Sequence, residues 1–468
     1  MNDLLPDPLL RELEALLPEE SLLVEPADRW PYGQDNSRRH TLPGCVVLPR
    51  EEREVVELVR LCRRFGVPLT ARGRGTGTAG AAIPLPGGLL LSLERMDRIL
   101  ELDPADSLAV VQPGVTNAAL QEAAAAHALF WPPDPTSAPF CTVGGNLACN
   151  SAGPRAVKYG TPRENTLGLR AVTGAGDLLE CGVRTTKGVV GLDLTRLLIG
   201  SEGTLAVITE ATLRLTPLPE ARRTLRGVYR DIGAAAAAVS RIMAQPARPC
   251  ALEFMDAAAL ALLRRHGDGA LDLPKGAGAV LLIEVDGMAS ALDPLTGAVA
   301  AAAGGEGLLE WRSAADEEEA AELWRVRKAL SPALRNAAPR KINEDVVVPV
   351  SRIPHLIEGL RRLSARHRIL IVNFGHAGNG NIHVNLLFDP SNPGEEERAG
   401  ACLDALFDLV LDLGGSLSGE HGVGREKREF VSRELSATAL SLMRGIKREF
   451  DPDGILNPDK GLPDRGRG

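Results

Sequence analysis

Across 468 residues the chain has no apolar run approaching the roughly 18 residues of a membrane-spanning helix. Its start, MNDLLPDPLL, lacks a positive segment followed by an apolar one. A soluble, cytoplasmic protein is the expectation. The seven cysteines, at 45, 62, 141, 149, 181, 250 and 402, include no CxxC pair. That spacing argues against an iron–sulfur cluster or a cysteine-rich zinc site, and the cysteines read as reduced, buried apolar residues. Basic runs with interleaved aromatics are also missing, and a net charge of −8 with a pI near 5.7 argues against a nucleic-acid partner. Scarce tyrosine, three residues, reflects compositional bias and carries no information on activity.

The length suggests about two to four domains. Residues 44–93 read as strand (Cys45 to Leu48), helix (Glu51 to Phe65), strand (Val67 to Ala71), glycine-rich loop and strand (Leu89 to Leu93). A strand at Leu108 to Gln112, a helix from Thr116 to His127, a hairpin from Leu167 to Gly182 and a strand at Thr204 to Leu215 continue that lobe. After Pro217 and Pro219 the pattern changes to strands 224–229, 250–255, 279–286 and 307–312 separated by helices 231–244, 256–265 and 289–303. With Ile369 to Phe374 and Asn381 to Phe388, this suits an antiparallel sheet covered on one face. The fold class is α+β, with one domain over 1–217 and a second over 218–468.

Gly75-Thr76-Gly77-Thr78-Ala79-Gly80 is literally GxGxxG. A Rossmann fingerprint opens a helix, but Pro84, Pro86, Gly87 and Gly88 follow here and no helix runs through them. Arg72 to Gly80 reads instead as an extended loop whose amides and two arginines could cradle a pyrophosphate. Thr142-Val143-Gly144-Gly145-Asn146, followed by Gly153, is a second such segment, and Gly200 to Thr204 a third. Three such loops in one lobe favour a large phosphate-bearing cofactor.

Three of the eight histidines fall in two glycine-rich blocks, NFGHAGNGNIHVN (373–385) and GGSLSGEHGVGREK (414–427). In the strand Asn381 to Asn385 polar residues alternate with apolar ones, which places Asn381, His383 and Asn385 on one face. Glycines at 375, 378 and 380 permit a turn that returns His376 beside His383. Glu420 and His421 sit in an irregular glycine-rich loop. Two imidazoles and a carboxylate are a sufficient donor set for Zn²⁺ first, or Mn²⁺, and leave His421 to move protons.

Together the segments VPLTARGRGTGTAG (67–80), TVGGNLACNSAGPRAVKYG (142–160), LIGSEGTLAVITEATLRL (198–215), NFGHAGNGNIHVN, GEHGVGREK and ILNPDKG (455–461) resemble flavoproteins of the vanillyl-alcohol oxidase type. Within them the resemblance is to the FAD-linked D-2-hydroxyacid dehydrogenases: D-lactate dehydrogenase, D-2-hydroxyglutarate dehydrogenase and the flavin subunit of glycolate oxidase.

The resemblance implies an N-terminal FAD-binding domain of two α+β subdomains, of the p-cresol methylhydroxylase (PCMH) type. A C-terminal cap with an antiparallel sheet covered by helices follows, and residues 418–468 return to the flavin. FAD would be non-covalent, because the first glycine loop offers only Thr76 and Thr78. It would be held by Arg72, Gly73, Arg74, Gly75, Thr76, Gly77, Thr78, Pro113, Thr142, Gly144, Gly145, Asn146, Gly153, Glu202, Gly203, Ile208 and Asn457. By the same resemblance His376, His383 and Glu420 are metal ligands and His421 is the catalytic base. Arg327, Ser331, Lys341 and Asn385 bind the substrate, with Arg325, Lys328 and Arg335 on a solvated helix face.

A small D-2-hydroxy acid would be the substrate and a quinone, cytochrome or electron-transfer flavoprotein the acceptor. Any membrane contact would be peripheral through that acceptor, and a homodimer is compatible. KINEDVVVP (341–349) is closer to the lactate and 2-hydroxyglutarate branches than to glycolate oxidase. An alkyl-glycerone-phosphate-synthase-like transferase shares the FAD lobe but does not need His376, His383 and Glu420 together. A non-catalytic binding subunit is the other alternative, disfavoured by intact glycine loops.

Overall fold

The computed structural model describes residues 5–266 and 272–463 of the chain. They form two compact units, one of residues up to Gly153, Gly160–Leu218 and the chain from Glu420, the other of Pro154–Tyr159 and Pro219–Gly419.

The first unit holds two larger sheets and a two-stranded one, Leu129–Phe130 with Thr216–Pro217. In the four-stranded one, Leu22–Leu23 pairs antiparallel with Cys45–Val47, and Leu89–Ser92 lies parallel between Cys45–Val47 and Leu69–Arg72. The crossover helix Glu52–Phe65 starts at a capping box between Glu51 and Glu54 and stops at Gly66, whose φ of 63° suits a residue without a side chain. Its Val55, Leu58, Val59 and Cys62 recur at helical spacing and pack with Leu9 and Leu13 of the helix Asp7–Leu16 onto the sheet.

The second sheet is antiparallel in the order Ile99–Asp103, Leu108–Val111, Ala206–Arg214, Thr166–Thr173, Leu178–Gly182. Its core gathers Val111, Ala171, Ala211 and Trp131. The C-terminal segment contributes to both cores: Ile446 and Phe450 pack on the second, and Ile455 and Leu456 join the first. A backbone bond from Leu69 N to Ile455 O at 2.8 Å and one from Asn457 N to Leu69 O at 2.7 Å stitch it down.

The second unit is built on a seven-stranded, wholly antiparallel sheet in the order Leu308–Ser313, Ala221–Tyr229, Ala279–Gly287, Ala251–Asp256, Leu370–His376, Asn381–Phe388, Arg340–Val347. The antiparallel sheet agrees with the reading of the sequence, but both of its faces are covered, not one. On one face Met255, Val280, Leu282 and Phe374 pack with Leu260, Leu323, Leu330 and Leu334 of the helices Ala257–His266, Glu317–Lys328 and Leu330–Ala337. On the other, Tyr229 donates its hydroxyl to Ala303 O at the end of the helix Leu292–Ala303, 3.1 Å away. The helices Ile232–Ala244, Ile353–His367 and Glu395–Asp412 continue that layer. Continuous apolar runs such as Ala279 to Ile283 carry this two-sided burial, which a strand open to water on one side would not need. Among the described residues no helix is long and apolar enough to cross a membrane.

Candidate functional site

In the first unit the strand Leu69–Arg72 runs out into residues 73–78. None of these amides donates a hydrogen bond to a described residue. Asn36 meanwhile takes the carbonyls on that loop, donating from its N to Gly77 O at 2.9 Å and from Nδ2 to Thr76 O at 3.1 Å. Carbonyls tied back and amides left over make an anion-binding nest, which fits the pyrophosphate of FAD.

Arg72 lies beneath the loop. Its Nη1 donates to Gln34 O at 2.7 Å, and a Cβ on Gly75, whose φ is +65°, would stand 2.1 Å from its Nη2. Arg74 turns away to Glu94, 3.0 Å distant. Of the two arginines in this loop, therefore, one supports it from below and the other is held in an ion pair.

The second glycine segment departs from an extended loop. Thr142 caps a short helix, Val143–Cys149, because its Oγ1 accepts from Gly145 N at 3.3 Å. The amides of Val143 and Gly144 go to the carbonyls of Val115 and Pro113 at 2.8 and 2.9 Å. A Cβ on Gly144 would sit 2.5 Å from the Pro113 ring. Asn146 is buried beside Asn117, whose Nδ2 is 3.3 Å away.

In the third segment Glu202 and Gly203 are left-handed, with φ of 54° and 70°. Both Glu202 carboxylate oxygens lie 2.9 Å from Gly424 N. Burial pushes that carboxyl up to about 7, against the amides of Gly424 and Val423 and the charges of Lys427 and Lys460. Asn457 donates from Nδ2 to Glu202 O at 2.7 Å and Ala81 O at 2.9 Å and accepts from Thr70 Oγ1 at 3.3 Å, so its amide joins three segments of this lobe. Ile208 packs in the second core beside a β-bulge at 208–210. Gly153 donates its amide to Glu420 Oε2 at 2.8 Å. Glu420 and His421 themselves lie in an irregular stretch, as their glycine neighbours suggest.

In the second unit the hairpin Leu370–His376 and Asn381–Phe388 brings His376 and His383 together, ring centroids 5.1 Å apart at 84°. Asn381, His383 and Asn385 share a face of their strand, as alternation predicts. Each histidine has a carboxylate directly across on the neighbouring strand, Glu253 opposite His376 and Asp345 opposite His383. Glu253 accepts from His376 Nδ1 and, at 2.8 Å, from Arg327 Nε. Burial pushes the Glu253 carboxyl up, but His376 and Arg327 outweigh it and hold it down at about 2.

Asp345, fully buried, accepts from Asn381 Nδ2 at 2.6 Å and from Gly419 N at 2.9 Å, and its Oδ1 lies 3.5 Å from His383 Nδ1. Two imidazoles flanked by carboxylates are a donor set suited to a first-row divalent metal, with outer carboxylates orienting the rings.

Arg327 stacks on Phe374, its guanidinium carbon 4.6 Å from the ring centroid. Lys341 shares a strand face with Asn343 and Asp345, opposite Leu387. Asn385 is fully buried, with Nδ2 donating to Val372 O at 3.3 Å and Oδ1 left without a partner among the described residues. Ser331 is exposed on the helix Leu330–Ala337, and Arg325, Lys328 and Arg335 are exposed as well.

Glu253 and Asp345 are absent from the sequence reading. A single carboxylate inside the apolar run Ala251-Leu252-Glu253-Phe254-Met255 signals a buried partner. In Lys341-Ile342-Asn343-Glu344-Asp345-Val346 the spacing of Lys341, Asn343 and Asp345 signals a strand with one polar face.

Residues 43–182 match the FAD binding domain family and 218–461 the C-terminal domain of FAD linked oxidases. Glycolate oxidase subunit GlcD of Bacillus subtilis (strain 168) is 38% identical over 435 residues, 93% of this chain and 92% of the relative. D-2-hydroxyglutarate dehydrogenase of Xanthomonas citri pv. viticola is 34% identical over 466 residues, 97% of each chain. Among solved structures, p-cresol methylhydroxylase with substrate bound superposes with a TM-score of 0.80 at 17% identity, covering 98% of both chains, which shows the PCMH-type fold.

Proposed function

The chain belongs to the FAD-linked oxidases and is an FAD-linked oxidoreductase, and from that premise we propose that it oxidises a D-2-hydroxy acid of the lactate or 2-hydroxyglutarate class to the 2-oxo acid. The acceptor of the electrons is not NAD but a quinone, a cytochrome or an electron-transfer flavoprotein. A divalent metal, Zn²⁺ first, is assigned to His376, His383 and Glu420.

The observation that carries this reading is the pinning of Arg327 to the same carboxylate that holds His376. A carboxylate clamp and a metal-type imidazole pair on one sheet face suit a substrate that has a carboxylate next to a hydroxyl. When bound, FAD supplies the two-electron acceptor for the C2 hydride and the metal supplies a Lewis acid for the hydroxyl. The protein's own part is binding and proton transfer. Arg327 and Lys341 neutralise the carboxylate, Asn385 offers its unpartnered Oδ1 to a donor, and His421 takes the hydroxyl proton.

Glycolate is a second reading, favoured by the name of the relative at 38% identity. The visible spectrum under anaerobic conditions tests both, before and after D- and L-2-hydroxy acids and glycolate are added. Bleaching of a flavin band by a D-acid alone supports the first reading, and bleaching by glycolate alone the second. A yellow protein that none of them reduces overturns both.

A further inference from the structure

We propose that Glu253 is a positioning residue that couples the metal-type histidine to the carboxylate clamp, so that one buried side chain sets both metal affinity and the preference for an acid substrate. The inference rests on the reading above and deepens it.

The Glu253 side chain is 2% exposed, and its two oxygens have different partners: Oε1 takes His376 Nδ1 and Oε2 takes Arg327 Nε. An ionised carboxylate only accepts, so the bond keeps a proton of His376 on Nδ1, and in the neutral ring, the form that binds a metal, the lone pair is then on Nε2. The same bond occupies Nε of Arg327, while Phe374 covers one face of the guanidinium. What remains are the two terminal amino groups, which no described residue accepts from. A substrate carboxylate can therefore be met end-on by the Nη pair, and the side-on approach through Nε is closed.

Phe374 extends the coupling, since its ring also lies 5.7 Å from that of His383. Arg327 is thus wedged between Glu253 and the aromatic next to the second imidazole. A purely structural role for Glu253 would need neither the division of its oxygens nor a partner whose remaining donors are left open.

Glu253→Gln tests this. The glutamine oxygen can still accept from one neighbour, but without the negative charge, and its NH₂ group confronts the N–H of the other, so one arm of the coupling is broken and the other weakened. Two quantities are measured on the FAD-loaded protein: Zn²⁺ affinity by chelator competition, and the ratio of kcat/KM for a D-2-hydroxy acid to that for its amide, with an artificial dye as acceptor. The expected result is a loss of about tenfold or more in each, in the range of outer-shell substitutions at metal sites, with flavin content retained. A general loosening would lower acid and amide turnover alike and leave the ratio unmoved.

If either quantity stays within twofold of the parent, the coupling is overturned. Should Glu253→Gln fail to fold, Glu253→Asp carries the same test, because it keeps the charge but, one methylene shorter, draws the carboxylate back from both partners. A parent protein that binds no Zn²⁺ and shows no preference for acid over amide overturns the underlying reading, and this proposal with it.

Discussion

Asp345 and His383 face each other across two antiparallel strands, with Oδ1 of the one 3.5 Å from Nδ1 of the other. The carboxylate is fully buried and also receives the amide of Gly419 and Nδ2 of Asn381. Asp345→Ala removes both of these bonds, although Asn381 Nδ2 keeps Val346 O and Gly419 N keeps the backbone carbonyl of residue 345, each at 3.1 Å. At roughly 1–2 kcal/mol for each lost hydrogen bond to the buried carboxylate, stability falls by about 2 to 4 kcal/mol. Urea unfolding followed by circular dichroism checks this, and an unchanged midpoint would mean that solvent replaces the carboxylate.

The amide nest at residues 73–78 depends on Gly75. A side chain there would meet the Arg72 guanidinium in a backbone conformation, φ +65°, that favours glycine. Gly75→Val is expected to weaken FAD binding at least tenfold, about 1.4 kcal/mol, while secondary structure is kept. Flavin absorbance per protein after purification reads this directly. Full occupancy would move the pyrophosphate elsewhere.

His421 and His383 are assigned different tasks, and two variants separate them. His421→Ala should keep flavin and metal but slow reduction by substrate about 10²- to 10⁴-fold, the usual range for loss of a general base. His383→Ala should lose metal and activity together, by more than the roughly 10–100-fold typical of outer-shell groups. Stopped-flow bleaching and metal analysis report the two. Undiminished reduction in the first variant, or full metal content in the second, rejects the corresponding role.

Asp256 gives the second unit a pH dependence. It is buried, accepts from Asn373 Nδ2 at 2.7 Å and caps the helix Ala257–His266 through Ala259 N at 2.8 Å, and burial raises its carboxyl from 3.8 to about 6. A raised carboxyl means that the folded state holds the proton more tightly than the unfolded chain between those two values. This contribution to stability is complete below pH 3.8 and is lost as pH rises through about 6. The difference is about 3 kcal/mol at 1.4 kcal/mol per pH unit. Asp256→Asn removes the titration and presents an amide that can donate to the buried, unpartnered Oδ1 of Asn373. Relative to the parent, the variant should gain stability between pH 4 and 7. Parallel curves over that interval would show that Asp256 ionises normally.

Much of the architecture is legible because it is local. The strand Asn381–Phe388 and the helix ending at Gly66 follow from alternation, helical spacing and a left-handed cap, each set within a dozen residues. The pairing of His376 with His383 is legible for the same reason, since a hairpin with a glycine turn joins them. Two-sided burial of the larger sheet was present in the run Ala279 to Ile283, but alternation elsewhere outweighed it.

The partners of the functional side chains were set by tertiary structure. Glu253 precedes His376 by 123 residues and Arg327 by 74, and Asp345 precedes His383 by 38. Only strand order and register decide that these carboxylates stand opposite these imidazoles. The glycine segments show the same division. All three look alike as strings, yet residues 73–78 keep their amides while Val143 and Gly144 donate theirs to Val115 and Pro113. Residue type determines which groups can bind an anion, a metal or a proton. Whether those groups are free to do so depends on hydrogen bonds that close only when distant segments pack.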